Sequence, residues 1–349
     1  MNSYDPTEID WFNESPTTLL GRIRDANVVG MGGAGYPAAE KIEKGSRNAP
    51  CTIIANGVES DPGVSADQTL LNQRLLDVIT GLRIVGHIAH TKQLHLVVTS
   101  SDLVNKANKL NSREIKVHLI RPTFQNGEER ELIKLILQKQ VEPSSYPTDL
   151  GIIVFNVHTL FAILEAVRGK KLTQRIMTVL GEDRWVKFGE AIHSVADADQ
   201  SLRTGCYETG YVAINGQQTV PTMNAISADA VDLALPCIKC GWCTSACPLT
   251  LPVELYQSEF ERNQLSETTR SSLFSCNECG ACVTVCPSHI HLVDTIRQLR
   301  TKLAGEEFHL ERAAEARKRY EARIQRLQNQ SSRETANRVE RMHKTHDWS

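Results

Sequence analysis

Two stretches near the carboxyl end, "CIKCGWCTSACP" (Cys237 to Pro248) and "CNECGACVTVCP" (Cys276 to Pro287), carry four cysteines each at the same offsets, and each ends on proline. Eight of the ten cysteines fall in these blocks, leaving Cys51 and Cys206 alone. Thiols gathered at a repeated spacing read as metal ligands, not as a disulfide framework. The amino-terminal "MNSYDPTEIDWFNESP" is acidic and lacks the basic-then-apolar order of a signal peptide, and apolar runs such as "LGIIVFNV" are only strand-sized. A cytoplasmic location is therefore expected, with peripheral attachment to the membrane only through a partner. A formal net charge of −2 over 349 residues gives no pull towards polyanions, so nucleic acid is not an expected partner.

The spacing C-x2-C-x2-C-x3-C-P is the bacterial ferredoxin run. Three cysteines two residues apart wrap a tight turn around one face of a [4Fe–4S] cube, and the fourth, before proline, reaches the other cube. Cys237, Cys240, Cys243 and Cys286 are thus expected to hold one cluster, and Cys276, Cys279, Cys282 and Cys247 the other. Small residues between the ligands (Gly241, Gly280, Ala281) leave room for an inorganic core. Zinc is the competing reading, but zinc knuckles offer two cysteines each, and this register repeats four. Trp242, His289 and His291 lie beside the ligands and read as packing or surface residues.

The first half of the chain has a different character. Ser15-Pro16 has the form of a helix start, and "TTLLGRIRDA" continues at helical spacing. "CTIIAN", "LHLVVTS", "IKVHLI" and "LGIIVFN" read as strands. They alternate with helical stretches: Ala66 to Ala89 capped by Ser65, with a break near Asn72 or Gly81, then "DLVNKANKL", "GEERELIKLILQKQ", and "VHTLFAILEAVRG" ending at Gly169. Such alternation predicts a mainly parallel sheet covered by helices. The expected organisation is a Rossmann-like α/β domain over 1–169, a small β-grasp-like module over 170–234, a two-cluster helical ferredoxin-like domain over 235–304, and a charged helical tail over 305–349. In that tail acids and bases alternate, which marks a solvated face.

"GMGGAGYP" (Gly30 to Pro37) fits neither the G-x-G-x-x-G dinucleotide fingerprint nor a P-loop, but it offers bare backbone to a flat ring or a phosphate. Taken in order, "VVGMGGAGYPAAEKI", "IIANGVESDPGVSADQTLL", "NGEERELI" and "VFNVHTLFAI" resemble the flavin- and NADH-binding subunit of respiratory complex I. They are still more similar to the C subunits of Rnf electron-transport complexes and the related cobalamin reductase of propanediol utilisation. The cysteine pair and "AAEARKRYEARIQRL" are also similar to Rnf C subunits, so the resemblance spans about residues 17–330.

The resemblance implies roles. Gly30, Gly32, Gly33 and Gly35 match the loop that lies against flavin and nicotinamide, with Tyr36 in the place of a family aromatic and Lys41 in that of a basic residue. Asn56, Glu59 and Asp61 match the stretch that bonds isoalloxazine and ribose. Gly127, Glu128 and Glu129 match the G-E-E turn, and Asn156 with Thr159 matches the N-x-x-T of the flavin phosphate side. Each has a plainer alternative: Glu128 and Glu129 open a predicted helix, where acids suit the dipole, and Asn56 stands at a strand end. The sequence also departs from complex I, with Met31 in place of the loop arginine, Phe155-Asn156 in place of two asparagines, and His158 in place of a glutamate or small residue. Rnf C subunits carry a lipoyl-like module ahead of the glycine loop, whereas this chain begins almost at the loop and reads as a trimmed relative with a short soluble-ligand-binding β-grasp (SLBB-like) region.

The function implied is an NADH-oxidising subunit that uses FMN and two [4Fe–4S] clusters and delivers single electrons to a partner redox protein or to other subunits of a complex. Phe155 and His158 favour a relay and docking subunit without NADH oxidation. A cobalamin or corrinoid reductase would share the flavin end and differ in the acceptor.

Overall fold

The computed structural model describes residues 10–48, 50–59, 61–110, 114–123, 126–142, 145–229, 234–305 and 315–326. By compactness the chain divides into one unit of Met1–Thr250 with Asn277–Val293 and a second of Leu251–Cys276 with Asp294–Ser349.

In the first unit four strands form a wholly parallel sheet: β1 (Thr52–Asn56), β2 (Leu94–Val98), β3 (Ile115–Leu119) and β4 (Ile152–Asn156), in the order β3-β2-β1-β4. Every residue of β2 is buried, as expected of an apolar strand covered on both faces. The covering helices are α1 (Pro16–Asp25), α2 (Ala38–Ser46), α3 (Ala66–Ile88), α4 (Ser101–Lys109), α5 (Glu129–Leu137) and α6 (Val157–Val167). From β1 the chain steps outward through β2 to β3, then returns across β1 to place β4 on its other side. The direction of winding therefore reverses between β1 and β4. In open α/β sheets that switch point, at the carboxyl ends of the strands, is where ligands bind.

Local signals predicted by the sequence appear in the helices. Ser15 accepts from the Thr18 amide at 3.1 Å as the cap of α1. Gly169 follows α6 in the left-handed region at φ 74°. The break in α3 falls at Arg74, whose φ of −134° and ψ of 30° leave the helical region. Ser65 is a correction. It stands at the N-cap position of α3, but its hydroxyl donates to Asp183 Oδ2 at 2.7 Å and caps nothing. The helix start is served instead by Glu59, whose Oε2 accepts from the Asp67 amide at 3.1 Å. Midway along α3, a Cβ added at Gly81 would stand 2.1 Å from the Leu160 carbonyl oxygen, so only glycine lets α3 lie this close to α6.

A second sheet follows, of β5 (Gln174–Val179), β6 (Glu182–Lys187), β7 (Leu202–Thr204), β8 (Tyr211–Val212) and β9 (Ala225–Ala228), in the order β6-β5-β9-β7-β8. The first two strands form an antiparallel hairpin, α7 (Ile192–Ala196) comes next, and β9 returns parallel to β5. This is the mixed order expected of a β-grasp module. Met177, Val179, Ile192 and Leu202 fill its own core, while Ile176, Cys206 and Ala225 join the core of the parallel sheet.

The second unit is helical. α8 (Val253–Arg262) ends at Asn263 in the left-handed region, and α9 (Glu267–Ser272) starts on a Ser266 cap. Tyr256 is fully buried, with its hydroxyl 2.7 Å from Ser272 Oγ. Residues 294–305 are helical, and there Thr295 donates to Gln257 at 2.9 Å. Residues 315–326 form an exposed helix with an Arg317–Glu321 pair, in line with the solvated charged face predicted; the tail beyond 326 lies outside the described residues. Among the described residues no helix is long and apolar enough to cross a membrane.

Candidate functional site

The glycine loop is closed by its own backbone. The Gly30 amide donates to the Tyr36 carbonyl at 2.8 Å and the Gly35 amide to the Gly30 carbonyl at 3.2 Å. Gly33 (φ 107°) and Gly35 (φ 65°) take conformations open to glycine. Three neighbours fix the loop. The Met31 amide donates to Thr159 Oγ1 at 2.9 Å, the Met31 carbonyl accepts from Arg175 Nη1 at 2.9 Å, and a Cβ on Gly32 would lie 3.2 Å from Asn156 Cβ. Tyr36 is 40 % exposed and open to a ligand.

The loop thus lies over the switch point. Asn56 and Asn156, the last residues of β1 and β4, are register partners there. Asn56 Nδ2 donates to the Gly127 carbonyl at 3.0 Å, which ties the G-E-E turn to β1. Asn156 caps α6, its Oδ1 accepting from the His158 amide at 2.8 Å, and its Nδ2 donates to Asp67 at 2.5 Å. Glu128 is occupied as the cap of α5, its Oε2 accepting from the Arg130 and Glu131 amides. Glu129 pairs with Lys41 at 3.0 Å, and the Lys41 ammonium stands over the Phe155 ring. The structure therefore joins the glycine loop to Asn156 and Thr159, Asn56 to Gly127, and Lys41 to Glu129 and Phe155 at the carboxyl ends of β1 and β4, where the switch point makes a crevice, while Glu128 is committed to capping α5.

An acidic wall completes this crevice. Glu59 is pushed well above the usual carboxylate range, first by burial and then by the Asp67 and Asp61 charges. Asp61 is raised by burial while accepting from Asn224 Nδ2 at 3.0 Å. His158 Nδ1 lies 2.8 Å from Asp67 Oδ1, and burial lowers its pKa to about 4, so the ring is neutral and donates to the carboxylate. Such a wall would accept from ribose hydroxyls and ring N–H groups. A phosphate fits better at the glycine-loop backbone around Gly32 and Gly33, since the Gly30, Met31 and Gly35 amides and the His158 amide of α6 are already bonded within the protein.

The sequence reading missed Asp67, Asn224 and above all Arg175. Arg175 is 1 % exposed on β5, donates to the Met31 and Pro221 carbonyls (2.9 and 2.7 Å), and sits close enough to Asp67 and Glu59 to feel their charge. A lone arginine in "QRIMTV" gives no sign of reaching another domain. Two buried polar atoms of the site, His158 Nε2 and Arg175 Nη2, have no hydrogen-bond partner among the described residues. Bare loop, amides, acids and orphaned polar atoms together suit a flavin mononucleotide.

The cysteine blocks are duplicated in backbone as in sequence. Lys239, Gly241 and Thr250 take φ of 55°, 75° and 53°, and Glu278, Gly280 and His289, the equivalent positions, take 56°, 78° and 52°. A short helix carries the third cysteine of each block, Cys243 within Trp242–Ser245 in the first and Cys282 within Ala281–Thr284 in the second. Burial raises the Cys243 thiol, and Cys286 and Cys240 add to the rise; burial likewise raises Cys279, and Cys247 adds to that. The electrostatic neighbours of Cys243 and Cys279 thus include the last cysteine of the other block. Among the described residues no group of three or more His, Cys, Asp or Glu side chains is gathered tightly enough for a single metal ion. Cys276 belongs to the second unit, where its carbonyl accepts from Arg300. His291 Nε2 donates to the Tyr207 carbonyl at 2.6 Å, a packing role as predicted.

Residues 23–165 match the family model of the Nuo51 FMN-binding domain, and residues 234–290 match that of the 4Fe-4S dicluster domain. The chain is 32% identical, over 92% of its length, to the C subunit of the ion-translocating oxidoreductase complex of Serratia proteamaculans (strain 568), and it spans about half (49%) of that curated relative. In fold it is similar to two crystal structures of NAD+-reducing [NiFe]-hydrogenase. The H2-reduced state gives a TM-score of 0.63 at 17% identity, covering 85% of this chain and 63% of that one. The air-oxidized state gives 0.60 at 16%, covering 80% and 63%.

Proposed function

Since this chain is a relative of the Rnf complex C subunits, with an FMN-binding domain and a 4Fe-4S dicluster domain, we propose that it is an electron-transfer subunit that oxidises NADH at the crevice over β1 and β4 and delivers single electrons through its cysteine blocks to a partner redox protein. The observation that carries this reading is the meeting of Asn56, Asn156 and the glycine loop at the switch point, where a Cβ on Gly32 would press on Asn156.

When bound, FMN takes up electrons in pairs and gives them up singly, and two [4Fe–4S] clusters carry them one at a time. The chain's own residues supply orientation and field. Gly32 and Gly33 leave the loop backbone bare, so planar rings can lie against it. Glu59 and Asp61 would receive ribose and ring donors, and the glycine-loop backbone beside Asn156 and Thr159 would stand on the phosphate side. Arg175 holds the loop by its Met31 carbonyl and balances the acids behind it. Cys237, Cys240, Cys243 and Cys286 would ligate one cluster, and Cys276, Cys279, Cys282 and Cys247 the other. No side chain needs to act as a general acid or base. Attachment at a membrane face would come through other subunits of the complex.

The test is purification under strict exclusion of oxygen, with flavin, iron and sulfide assayed and the absorbance followed on adding NADH. One FMN per chain, bleached by NADH, is the expected result; its absence sinks the reading. A relay without NADH oxidation is favoured by one observation, the Lys41 ammonium held by Glu129 over the Phe155 ring. It predicts a brown protein rich in iron and sulfide that lacks flavin.

A further inference from the structure

The two cysteine blocks are alike in backbone but not in surroundings. The second block is packed against the β-grasp module: a Cβ added at Gly280 would stand 2.7 Å from Glu208 Cβ and 3.0 Å from Thr209 Cγ2. His291, just beyond this block, has Nε2 2.6 Å from the Tyr207 carbonyl, and the two rings meet edge to face. The equivalent glycine of the first block, Gly241, is followed by Trp242, which is 58 % exposed, and Ile238 between the first two ligands is 67 % exposed. Cys240 is exposed, whereas its counterpart Cys279 is partly covered; Cys282 is buried, whereas Cys243 is only partly so.

The turn that covers the second block also faces the acidic wall. Pro62 and Val64, next to Asp61, share a cavity of about 490 Å³ with Cys206, Tyr207 and Glu208. Cys206 bonds Thr209 at 3.1 Å and feels the Asp61 charge. The turn from Cys206 to Gly210 is therefore a wedge, with the proposed flavin crevice on one side and the second cysteine block on the other.

We propose that the two blocks are polar in function: the second is the inner end of the relay, set against the flavin side by Glu208 and Thr209, and the first is the outer end. This rests on the flavin and cluster reading above. Oxidation of one NADH to NAD+ releases one proton and two electrons, enough to reduce each of two clusters once, and both electrons then leave singly from the first block. Glu208 and Thr209 are positioning residues. Tunnelling falls steeply with distance, so packing the β-grasp turn against one block alone selects that block as first acceptor, and exposure of Cys240 brings the other within reach of a partner.

The test uses the whole chain, purified without oxygen, reduced stepwise with dithionite and followed by electron paramagnetic resonance. Cys240→Ala marks the first-block signal by removing one of its ligands; should that variant hold no iron, Trp242→Ala marks it through a change in line shape with every ligand kept. Glu208→Gln removes a negative charge beside the second block. The expected result is a positive shift in the midpoint potential of the unmarked signal alone, and faster relaxation of the marked signal by a dissolved dysprosium chelate. A Glu208→Gln shift in the marked signal, a shift in neither, or stronger chelate relaxation of the unmarked one overturns the assignment. Dithionite needs no flavin, so failure of the flavin reading shows separately, as absence of FMN from the same preparation.

Discussion

Asn56 and Asn156 are register partners at the ends of two neighbouring parallel strands, yet their side chains serve opposite walls of the crevice. Asn56 reaches the turn before α5 through the Gly127 carbonyl, and Asn156 reaches α6 and Asp67. Two amides side by side thus hold the turn, the helix start and the acidic wall in fixed relation.

Asn156→Ala should cost about 1 kcal/mol from the lost cap of α6 alone, with a further loss from the bond to Asp67. Thermal melting reads the first effect. The ratio of FMN to protein should fall in the same variant while its iron content holds.

Gly32→Ala places a methyl 3.2 Å from Asn156 Cβ, an atom fixed to the backbone that cannot swing aside. Overpacking of this kind costs roughly 1–3 kcal/mol, and here it falls on the loop that would lie against the flavin. Flavin titration should show affinity weakened about tenfold or more by that cost; unchanged affinity would remove this loop from the site.

His158 sets a pH dependence. Its pKa is lowered by burial to about 4 from an ordinary value near 6.5, so between these values the unfolded chain binds more protons than the folded one. Its contribution is full above pH 6.5 and is lost as pH falls towards 4. Urea melts across that range should show stability rising with pH, and His158→Gln should flatten the rise.

Arg175→Met should be among the most damaging single changes, about 3–5 kcal/mol. It strips the Met31 and Pro221 carbonyls of their donor and leaves Asp67 and Glu59 without the nearby cation. A melting curve of the variant, taken with and without added FMN, reads both the fold and the loop.

Lys41→Met should leave stability within about 1 kcal/mol, because its pair with Glu129 is partly exposed. If NADH binds here, KM rises while the melting temperature stays. An unchanged KM favours the relay reading.

How much of this was legible in the chain follows from the range of the forces. Ser15, Gly169 and the alternation of strands with helices act over a few residues, and each appears where its local chemistry places it. The likeness of the two cysteine blocks was legible because the repeated spacing gives both the same backbone, φ for φ. Ser65 misled because a hydroxyl in the cap position found in Asp183, more than a hundred residues away, a better partner than its own helix. Arg175 and the Asp67–His158 pair had no local signal at all. Their burial is set by β5 arriving beside the glycine loop, an event of tertiary packing that no window of sequence contains.

The exchange of last cysteines proposed for the two blocks bears on how the protein matures. With Cys286 completing the first set and Cys247 the second, neighbours of Cys243 and Cys279 respectively, neither block would own a complete set of thiols. A nascent chain halted between them would have nowhere to keep iron, so loading would wait for the later block to be synthesised and then proceed for both together. Scarcity of iron would thus yield filled and empty molecules side by side, and few that are half assembled.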